Sequence, residues 1–360
     1  MVDILKDLLN QPLTPWLSGA GPEGEIALTS RVRLARNLQN QPFPGRAAPA
    51  KLGEIVAELQ EVSTELAAAD GHEYAFVKLE ELAPLARYVL VEKHIISPNH
   101  AAEPENRALI VRDDAGVSIM VNEEDHLRLQ CLESGLNLTD AFNKANAVDD
   151  VIEAKHDLAF MEHIGYLTAC PTNMGTGLRA SVMVHLPALA LTKQVGRIVA
   201  IATQLGLAVR GLYGEGTEAA GNVFQISNQV TLGRTEQDII NNLSGVVKKV
   251  VDKERTAREL LANDSKDALA DRVWRAYGVL RYAQRISAEE ALMLLSEVRL
   301  GIDLGVIDEA APEVFNELLV TTRPNFLQNL AGETVLNQGD SNILRARLIR
   351  SKLKGGCNNV

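Results

Sequence analysis

The sequence predicts an α+β protein in which a part that mixes strands and helices precedes a part built of helices alone. Runs of strand length occur near 74–79, 107–121, 125–132, 181–186 and 222–228. Between these runs, apolar residues recur at helical spacing. From about residue 262 onward, the patterns are almost all helical. We therefore predict one domain over residues 1–258 and a C-terminal all-α domain over residues 259–360.

Size and composition are those of an ordinary globular protein. The 360 residues are enough for one large and one smaller domain, and 46% of them are hydrophobic and 23% charged. The formal net charge of −11 argues against a general affinity for nucleic acid. No apolar run approaches the roughly 18 residues of a membrane span, so no contact with a membrane is expected.

The cysteines and the N-terminal segment indicate a reducing compartment. Cys131, Cys170 and Cys357 form neither a disulfide framework nor a CxxC metal site. The first seventeen residues are amphipathic and acidic, and they lack the basic region and apolar core of a signal peptide. We therefore expect a cytoplasmic protein without a metal site made by the protein alone.

An acidic turn follows a predicted hairpin. The apolar runs within 107–121 are joined by a turn at Asp113–Gly116, and VNEEDHLRL then places Glu123, Glu124 and Asp125 side by side. Adjacent carboxylates raise one another's pKa unless a cation offsets them. Such a cluster suits a general base, or an anchor for Mg²⁺ and a cationic substrate. The alternative is a solvated acidic turn.

Two arginines share a face of a predicted strand near the N-terminus. In SRVRLARN (30–37), strand-like alternation places Arg31 and Arg33 on the same side. Two guanidinium groups on one face can clamp a phosphate. The alternative is a basic edge strand that prevents aggregation.

The segments that precede the hairpin are predicted to be mainly helical. Residues 50–70 carry helix formers at helical spacing, and Gly71 stands where that helix should end. Residues 82–100 are predicted as a helix that carries Arg87 and His94, ended by Ser97 and Pro98. We interpret His94 as a partly buried helix residue.

A glycine-containing loop follows a helix predicted over 137–155 with its cap at Thr139. The loop, CPTNMGTGLR (170–179), lacks the GK[ST] of a Walker motif. Its glycines let backbone N–H groups approach an anion, and Arg179 adds a guanidinium. Cys170, close to arginines, is expected to favour its thiolate form. The alternative for Cys170 is a small buried residue.

A second glycine-rich segment precedes the last predicted strand. A helix is predicted over 191–206, and the segment from Arg210 to Gly221, which includes Glu215, then holds four glycines and few apolar anchors. This composition indicates a mobile loop that could close over a substrate, or a plain flexible connection. A long helix is predicted over 236–261, and further along Ser287 with Glu290 resembles a capping box.

Four motifs in one order resemble those of the phosphagen (guanidino) kinase family. They are SRVRLARN, VNEEDHLRL, CPTNMGTGLR and GEGTEAAGNVFQISN, and the resemblance covers about residues 20–250. It implies a mostly antiparallel sheet flanked by helices, and transfer of the ATP γ-phosphate, with Mg²⁺, to a guanidinium nitrogen.

The resemblance also implies roles for individual residues. Glu124 would be the catalytic carboxylate, Glu123 would help to organise Mg²⁺, and Cys170 would lie near the guanidinium. Glu215 resembles the loop glutamate of arginine kinases, which makes arginine the expected acceptor. The residues expected to bind ATP are Ser30, Arg31, Arg33, Arg87, Arg128, Arg179 and Arg210.

The position of the motifs implies an acceptor arginine that is part of a protein. SRVR begins at residue 30, so we expect the helical domain that precedes it in ordinary arginine kinases to be absent. The layout is similar to that of bacterial family members that phosphorylate protein arginines in the stress response and mark those proteins for a Clp-type unfoldase–protease. It implies a homodimer formed through the helical domain and a zinc-binding activator. The alternatives are a free-arginine kinase and a non-catalytic arginine-binding adaptor.

The last domain departs from the pattern of these bacterial members. They typically carry Arg-Asp-x-x-Arg-Ala, which binds phosphoarginine and couples oligomerisation to activity. Here Arg345 and Ala346 match, whereas Ser341 and Asn342 replace the Arg-Asp pair. The loss of one guanidinium and of its orienting carboxylate predicts weak or absent activation by phosphoarginine.

Overall fold

The computed structural model describes residues 2–211, 219–332 and 335–354. Within these ranges, eight strands form one antiparallel sheet in the order β2-β3-β4-β5-β1-β8-β10-β9, and two short strands form a separate hairpin. The strands are β1 (Ala27–Arg36), β2 (Tyr74–Lys78), β3 (Ala108–Arg112), β4 (Val117–Val121), β5 (Leu127–Ser134), β6 (Phe160–Met161), β7 (Gly165–Tyr166), β8 (Leu178–His185), β9 (Leu207–Gly211) and β10 (Val223–Asn228). The predicted antiparallel sheet is confirmed.

The helices lie on both sides of this sheet and after it. They are α1 (Val2–Asn10), α2 (Pro49–Glu58), α3 (Val62–Asp70), α4 (Pro84–Glu92), α5 (Pro98–Ala102), α6 (Leu138–Glu153), α7 (Pro187–Leu191), α8 (Val195–Gln204), α9 (Glu236–Asp264), α10 (Lys266–Tyr282), α11 (Ala288–Asp303), α12 (Glu313–Thr321), α13 (Pro324–Leu330) and α14 (Gln338–Lys354). The predicted helical character after residue 262 is confirmed for the described residues.

Strand β1 lies in the middle of the sheet and pairs with β5 on one side and β8 on the other. Its even-numbered residues Val32 and Leu34 are buried in the main core, where they pack with residues of α6 and α9. Successive strand residues point to opposite faces, so Arg31 and Arg33 project from the other face. A second core joins part of that other face to the C-terminal helices, through residues such as Leu132 and Met183.

The described part of the chain corrects four predicted boundaries. The helix predicted over 82–100 ends at Glu92, and His94 lies outside it with φ of 57°. Helix α6 begins after Asn137, so Thr139 is not its cap. The predicted helix over 191–206 is interrupted, because α7 ends at Leu191 and α8 begins at Val195. The start of the loop predicted between Arg210 and Gly221 belongs to β9, which ends at Gly211 and pairs with β10.

Helix α9 is continuous across residue 258, and the division of the chain there stays a prediction. Buried ion pairs connect α9 to the helices that follow: Arg258 contacts Glu254 and Asp303, and Asp303 also accepts a hydrogen bond from Arg299. The predicted cap of α11 is present, because Ser287 accepts a hydrogen bond from the backbone N–H of Glu290. Within the described ranges, no helix combines the length and apolar character needed to cross a membrane.

Candidate active site

The arginines of the first motif face a neighbouring arginine across the sheet. In the register between β1 and β8, Arg33 lies opposite Arg179, and Arg31 lies opposite Ser181. Directly opposed residues of an antiparallel pair project from the same face. Arg31, Arg33 and Arg179 therefore share one face, and Arg31 donates a hydrogen bond of 3.3 Å to the Ser181 hydroxyl.

Two further predicted arginines, Arg128 and Arg210, project from the same face. Gln130 on β5 lies opposite Arg33, and Arg128 is two residues before Gln130 on the same strand. Arg210 on β9 lies opposite Gln225 on β10. Gln225 in turn accepts a hydrogen bond of 3.0 Å from Arg31. The sheet thus brings together five of the six arginines predicted to bind ATP, and these five form the arginine row: Arg31, Arg33, Arg128, Arg179 and Arg210.

A cleft of about 480 Å³ opens beside part of this arginine row. Its walls come from β1, from the β4–β5 region, from the segment around α4 and α5, and from the junction between α12 and α13. The polar residues that line it are Arg31, Arg33, Glu92, His94, Ser97, Asn99, Glu123, Arg128, Gln130 and Arg323.

The positive charges of the arginines repel one another. Burial, together with Arg128 and Arg179, lowers the pKa of Arg31 to about 10. Burial, together with Arg31, Arg128 and Arg179, holds the pKa of Arg33 well below its ordinary value, and Glu123 offsets part of this. Among the described residues, the buried Nε atoms of Arg33 and Arg179 have no hydrogen-bond partner. Half-buried guanidinium groups that repel one another and have donors without partners favour the binding of an anion.

Glu123 is held as a carboxylate by its neighbours. One of its oxygens accepts a hydrogen bond of 2.7 Å from Ser97, and the other accepts from Arg128 at 2.5 Å and from the Glu124 N–H. Burial alone would raise the pKa of Glu123, but Arg128, Ser97 and the Glu124 N–H lower it to about 2. Glu123 therefore anchors Arg128 and fixes the start of the acidic turn.

This anchoring predicts how the free energy of unfolding changes as the pH is lowered. The pKa of Glu123 in the folded protein lies below its unfolded value of roughly 4.3. Ionised Glu123 therefore stabilises the fold above about pH 4.3, and this stabilisation is lost as the pH falls toward 2. Between pH 5 and 3, the free energy of unfolding of the wild type should fall more steeply than that of a Glu123→Gln variant. The measurement is denaturant unfolding at a series of pH values, and parallel curves would contradict the assignment.

Glu124 is the exposed member of the acidic turn. Burial by the surrounding turn, together with Asp125 and Glu123, raises its pKa, while Arg128 and Arg179 partly offset the rise. The side chain thus lies within electrostatic reach of the arginine row. A carboxylate with a raised pKa that faces cations can orient a guanidinium and accept its proton.

Asp125 and His126 have structural positions that the sequence did not reveal. Asp125 accepts hydrogen bonds from the Asn37 amide at 2.6 Å and from the Ala169 N–H at 2.7 Å. The backbone N–H of His126 donates to the Asn37 side chain, and the His126 ring accepts from the Leu38 N–H at 3.1 Å. These contacts fasten the acidic turn to the end of β1 and to the loop that contains Cys170.

The loop that contains Cys170 lies against the end of β1. Cys170 is half-buried, and its Sγ is 3.0 Å from the Thr172 hydroxyl. Burial, Arg210 and Arg128 lower the pKa of Arg179. Cys170 and Glu124 partly offset this lowering. Gly177 has a φ of 65°, and a Cβ there would lie 2.6 Å from the Ala35 carbonyl. The glycine thus permits the close approach that brings the loop to the arginine row.

Of the predicted site residues, Arg31, Arg33, Glu123 and Arg128 line the cleft, and the others are not among the described residues that line it. Ser30 projects from the opposite face of β1 and is fully buried, where it donates to the Gly135 carbonyl and accepts from the Asn137 N–H. Arg87 lies on α4 and is not among the described residues that line the cleft. Glu215 lies outside the described residues.

The structure adds polar residues that sequence reasoning missed. His94, interpreted as a helix residue, lines the cleft and packs edge-on against Trp16 with ring centroids 6.3 Å apart. Burial, Arg31 and Arg323 lower the pKa of His94 to about 3, so the imidazole is neutral near neutral pH. Nothing in the local sequence pattern signals its position. For Gln225, the alternation along β10 was available as a signal, because it places this residue on the arginine face.

The described residues contain no group of three or more His, Cys, Asp or Glu side chains placed to hold a metal ion. Mg²⁺ is usually held by substrate phosphates, water and one or two carboxylates. The ionised Glu123 beside the arginine row fits that pattern, in which a phosphate-bearing substrate brings most of the ligands.

Two family models match the sequence. The model described as "ATP:guanido phosphotransferase, C-terminal catalytic domain" matches residues 54–257. The model described as "Protein-arginine kinase McsB C-terminal domain" matches residues 266–359. The two matches together span most of the chain.

Relatives and solved structures agree with these models. A protein-arginine kinase of Brevibacillus brevis is 48% identical over 97% of this chain and 98% of its own length. The protein-arginine kinase of Moorella thermoacetica is 50% identical over 94% of this chain and 97% of its own length.

Among solved structures, lombricine kinase has a TM-score of 0.56 and 28% identity, over 66% of this chain and 68% of that one. The substrate-free duplicated taurocyamine kinase of Schistosoma mansoni has a TM-score of 0.58 and 25% identity, over 72% of this chain and 37% of that one. The fold is therefore that of the phosphagen kinases. The chain belongs to the ATP:guanido phosphotransferase family, in the branch that carries the McsB type of C-terminal domain.

Proposed function

We propose that this protein transfers the γ-phosphoryl group of ATP to the guanidinium of arginine residues in proteins. The observation that carries the proposal is the row of five arginines on one sheet face, with the carboxylate of Glu124 within electrostatic reach of that row. The relatives named protein-arginine kinase, which match nearly the whole chain, support the choice of protein acceptors.

The arginines are proposed to hold the nucleotide phosphates. Phosphoryl transfer depends mainly on positioning and on stabilising charge that spreads over the phosphoryl oxygens. Arg31 and Arg33 are half-buried, and desolvation and the neighbouring cations lower their pKa values. An anion would relieve that repulsion. The arginines assigned to ATP are Arg31, Arg33, Arg128, Arg179 and Arg210.

The carboxylates are proposed to handle the acceptor and the metal. As a guanidinium nitrogen attacks the γ-phosphorus, the bond to the β,γ-bridging oxygen breaks and ADP leaves with that oxygen. Glu124 orients the guanidinium and takes up its proton. Glu123 organises Mg²⁺, which when bound neutralises charge on the phosphates. Cys170 adjusts the charge beside the guanidinium, and Glu215 is proposed to hold its other side.

Radiolabel transfer distinguishes this proposal from its alternatives. The protein, incubated with Mg²⁺ and ATP labelled at the γ-phosphate, should label an arginine-rich protein with an acid-labile, base-stable phosphate. Labelling of free L-arginine with protein acceptors ignored would favour a free-arginine kinase. No transfer to any guanidinium would favour a non-catalytic arginine-binding adaptor.

The cellular setting is proposed from the same resemblance. We propose a cytoplasmic homodimer that assembles through the C-terminal helices. Its phosphorylated products would be recognised by a Clp-type unfoldase during the stress response, and a zinc-binding protein would activate it.

Phosphoarginine is predicted to have little effect on this protein. Arg345 is fully buried and donates to the Thr322 and Ile286 carbonyls and to the Asn342 side chain. The Nε and Nη1 donors of Arg345 thus already have partners within the protein, and Ser341 supplies no second guanidinium. Titration of the protein with phosphoarginine, followed by activity and by light scattering, should show no change. A clear rise in either quantity would count against this prediction.

A further inference from the structure

A fourth arginine reaches the cleft, and it comes from the C-terminal helices. Arg323 lies between α12 and α13, is half-buried, and lines the 480 Å³ cleft together with Arg31, Arg33 and Arg128. It belongs to none of the four motifs, and it lies beyond residues 54–257, which match the model of the catalytic domain. The residue is therefore a cation in the cleft that the catalytic motifs do not account for.

Contacts on both sides fix the position of Arg323. The carbonyl of the preceding residue, Thr322, accepts a hydrogen bond of 2.8 Å from the buried Arg345. On the other side, Glu92 accepts a hydrogen bond of 2.8 Å from the backbone N–H of Phe326. The backbone that carries Arg323 is thus held by α14 and by α4, which is the kind of support that a binding residue requires.

The charge balance of the cleft leaves room for an anion. Four arginines and two glutamates line it. Of the two carboxylates, Glu123 is bonded to Arg128 and Glu92 is bonded to the start of α13. Glu92 is also an electrostatic partner of Arg323, which offsets part of the rise in the pKa of Glu92 that burial causes. The cleft still has two more arginines than glutamates.

The position of Arg323 indicates which part of a ligand it meets. Along β1, Thr29 and Arg31 lie beside His94 and Trp16 in an adjoining depression, whereas Ala35 lies opposite Arg128, close to the acidic turn. Two residues after Arg323, the Asn325 side chain donates a hydrogen bond of 2.8 Å to Glu92. Glu92 and His94 are close in sequence and both line the cleft with Arg323, so Arg323 is at the end of the cleft near His94.

We propose that Arg323 binds the nucleotide phosphates nearest the nucleoside, so that the C-terminal helices complete the nucleotide site. The proposal rests on the proposed function, because it assumes that a nucleotide occupies the cleft with its terminal phosphate toward Glu124. ATP and ADP share the phosphates that Arg323 would contact, so the binding affinities of both nucleotides should depend equally on Arg323.

Titration calorimetry with MgATP and MgADP tests this proposal. An Arg323→Ala variant should bind both nucleotides about tenfold more weakly, since a hydrogen bond to a charged group is lost. Its affinity should also depend less on salt concentration. Arg323→Gln keeps a polar side chain of similar length and should show the same loss if the alanine variant folds poorly. An Arg275→Ala variant, which removes an exposed α10 arginine paired with Asp271, should bind as the wild type does.

The possible outcomes separate this inference from the proposed function. Unchanged affinity of the Arg323 variants for both nucleotides, with a lower melting temperature, would show a structural role and overturn the inference alone. Loss of ATP affinity with ADP affinity retained would contradict the placement at the nucleoside end. A wild type that binds neither nucleotide would contradict the proposed function itself.

Discussion

A Glu124→Gln variant is expected to fold and to bind MgATP as the wild type does while transferring phosphate roughly 10²–10³-fold more slowly. The amide matches the carboxylate in size but carries no charge to orient a guanidinium and cannot accept its proton. Glu124 is exposed, and its neighbours Asp125 and Glu123 help to raise its pKa. Removing its charge should therefore cost little stability. Initial rates of radiolabel transfer, together with calorimetric ATP binding and a thermal melt, measure all three quantities.

A matched control shows whether this loss is specific to the site. Glu105 is exposed in the segment between α5 and β3. A Glu105→Gln variant removes the same charge from the same protein and should keep the wild-type rate. Undiminished transfer by a folded Glu124→Gln protein would be incompatible with the proposed role of Glu124.

An Arg33→Met variant is expected to transfer phosphate roughly 10³-fold more slowly than the wild type. This is the lower end of the rate effect known for an arginine that stabilises a transferring phosphoryl group. Its stability should nevertheless be unchanged or slightly higher, because a charge that neighbouring like charges disfavour is replaced by an apolar side chain of similar size. Arg33 is half-buried, and desolvation together with Arg31, Arg128 and Arg179 holds its pKa well below the ordinary value. Rates and denaturant unfolding on the same preparation test the combination.

The same substitution three residues later on β1 should have the opposite effect on stability. Arg36 forms a buried ion pair of 2.6 Å with Asp149 and lies over the ring of Tyr166. Arg36→Met leaves Asp149 buried without its partner, which typically costs about 3–5 kcal/mol. If both variants lost stability to the same extent, the view that the Arg33 charge is retained for function would be wrong.

The faces of the individual strands could be predicted from the sequence, whereas the register between strands could not. Alternation places Arg31 and Arg33 together and also excludes Ser30 from their face, although Ser30 stands in the same motif. That Arg179 lies opposite Arg33 depends on how β8 aligns with β1. Alignment of this kind is set by packing of the whole sheet.

Other site residues escaped prediction for local reasons. His94 follows a segment with helical spacing, but the chain leaves the helix at Lys93 and adopts a positive φ at His94. Strand β9 was hidden because its last residues, Arg210 and Gly211, merge into a glycine-rich stretch. Arg323 reaches the cleft only through the packing of α13 against α4, a contact between distant parts of the chain that no local pattern encodes.

The most direct test of the central claim is mass spectrometry, under non-acidic conditions, of a basic protein incubated with the wild type and MgATP. The arginine row and Glu124 predict phosphate on arginine side chains of that protein, and none when Glu124→Gln replaces the wild type. Phosphate found only on serine or threonine, or on free arginine with the protein left unmodified, would contradict the claim.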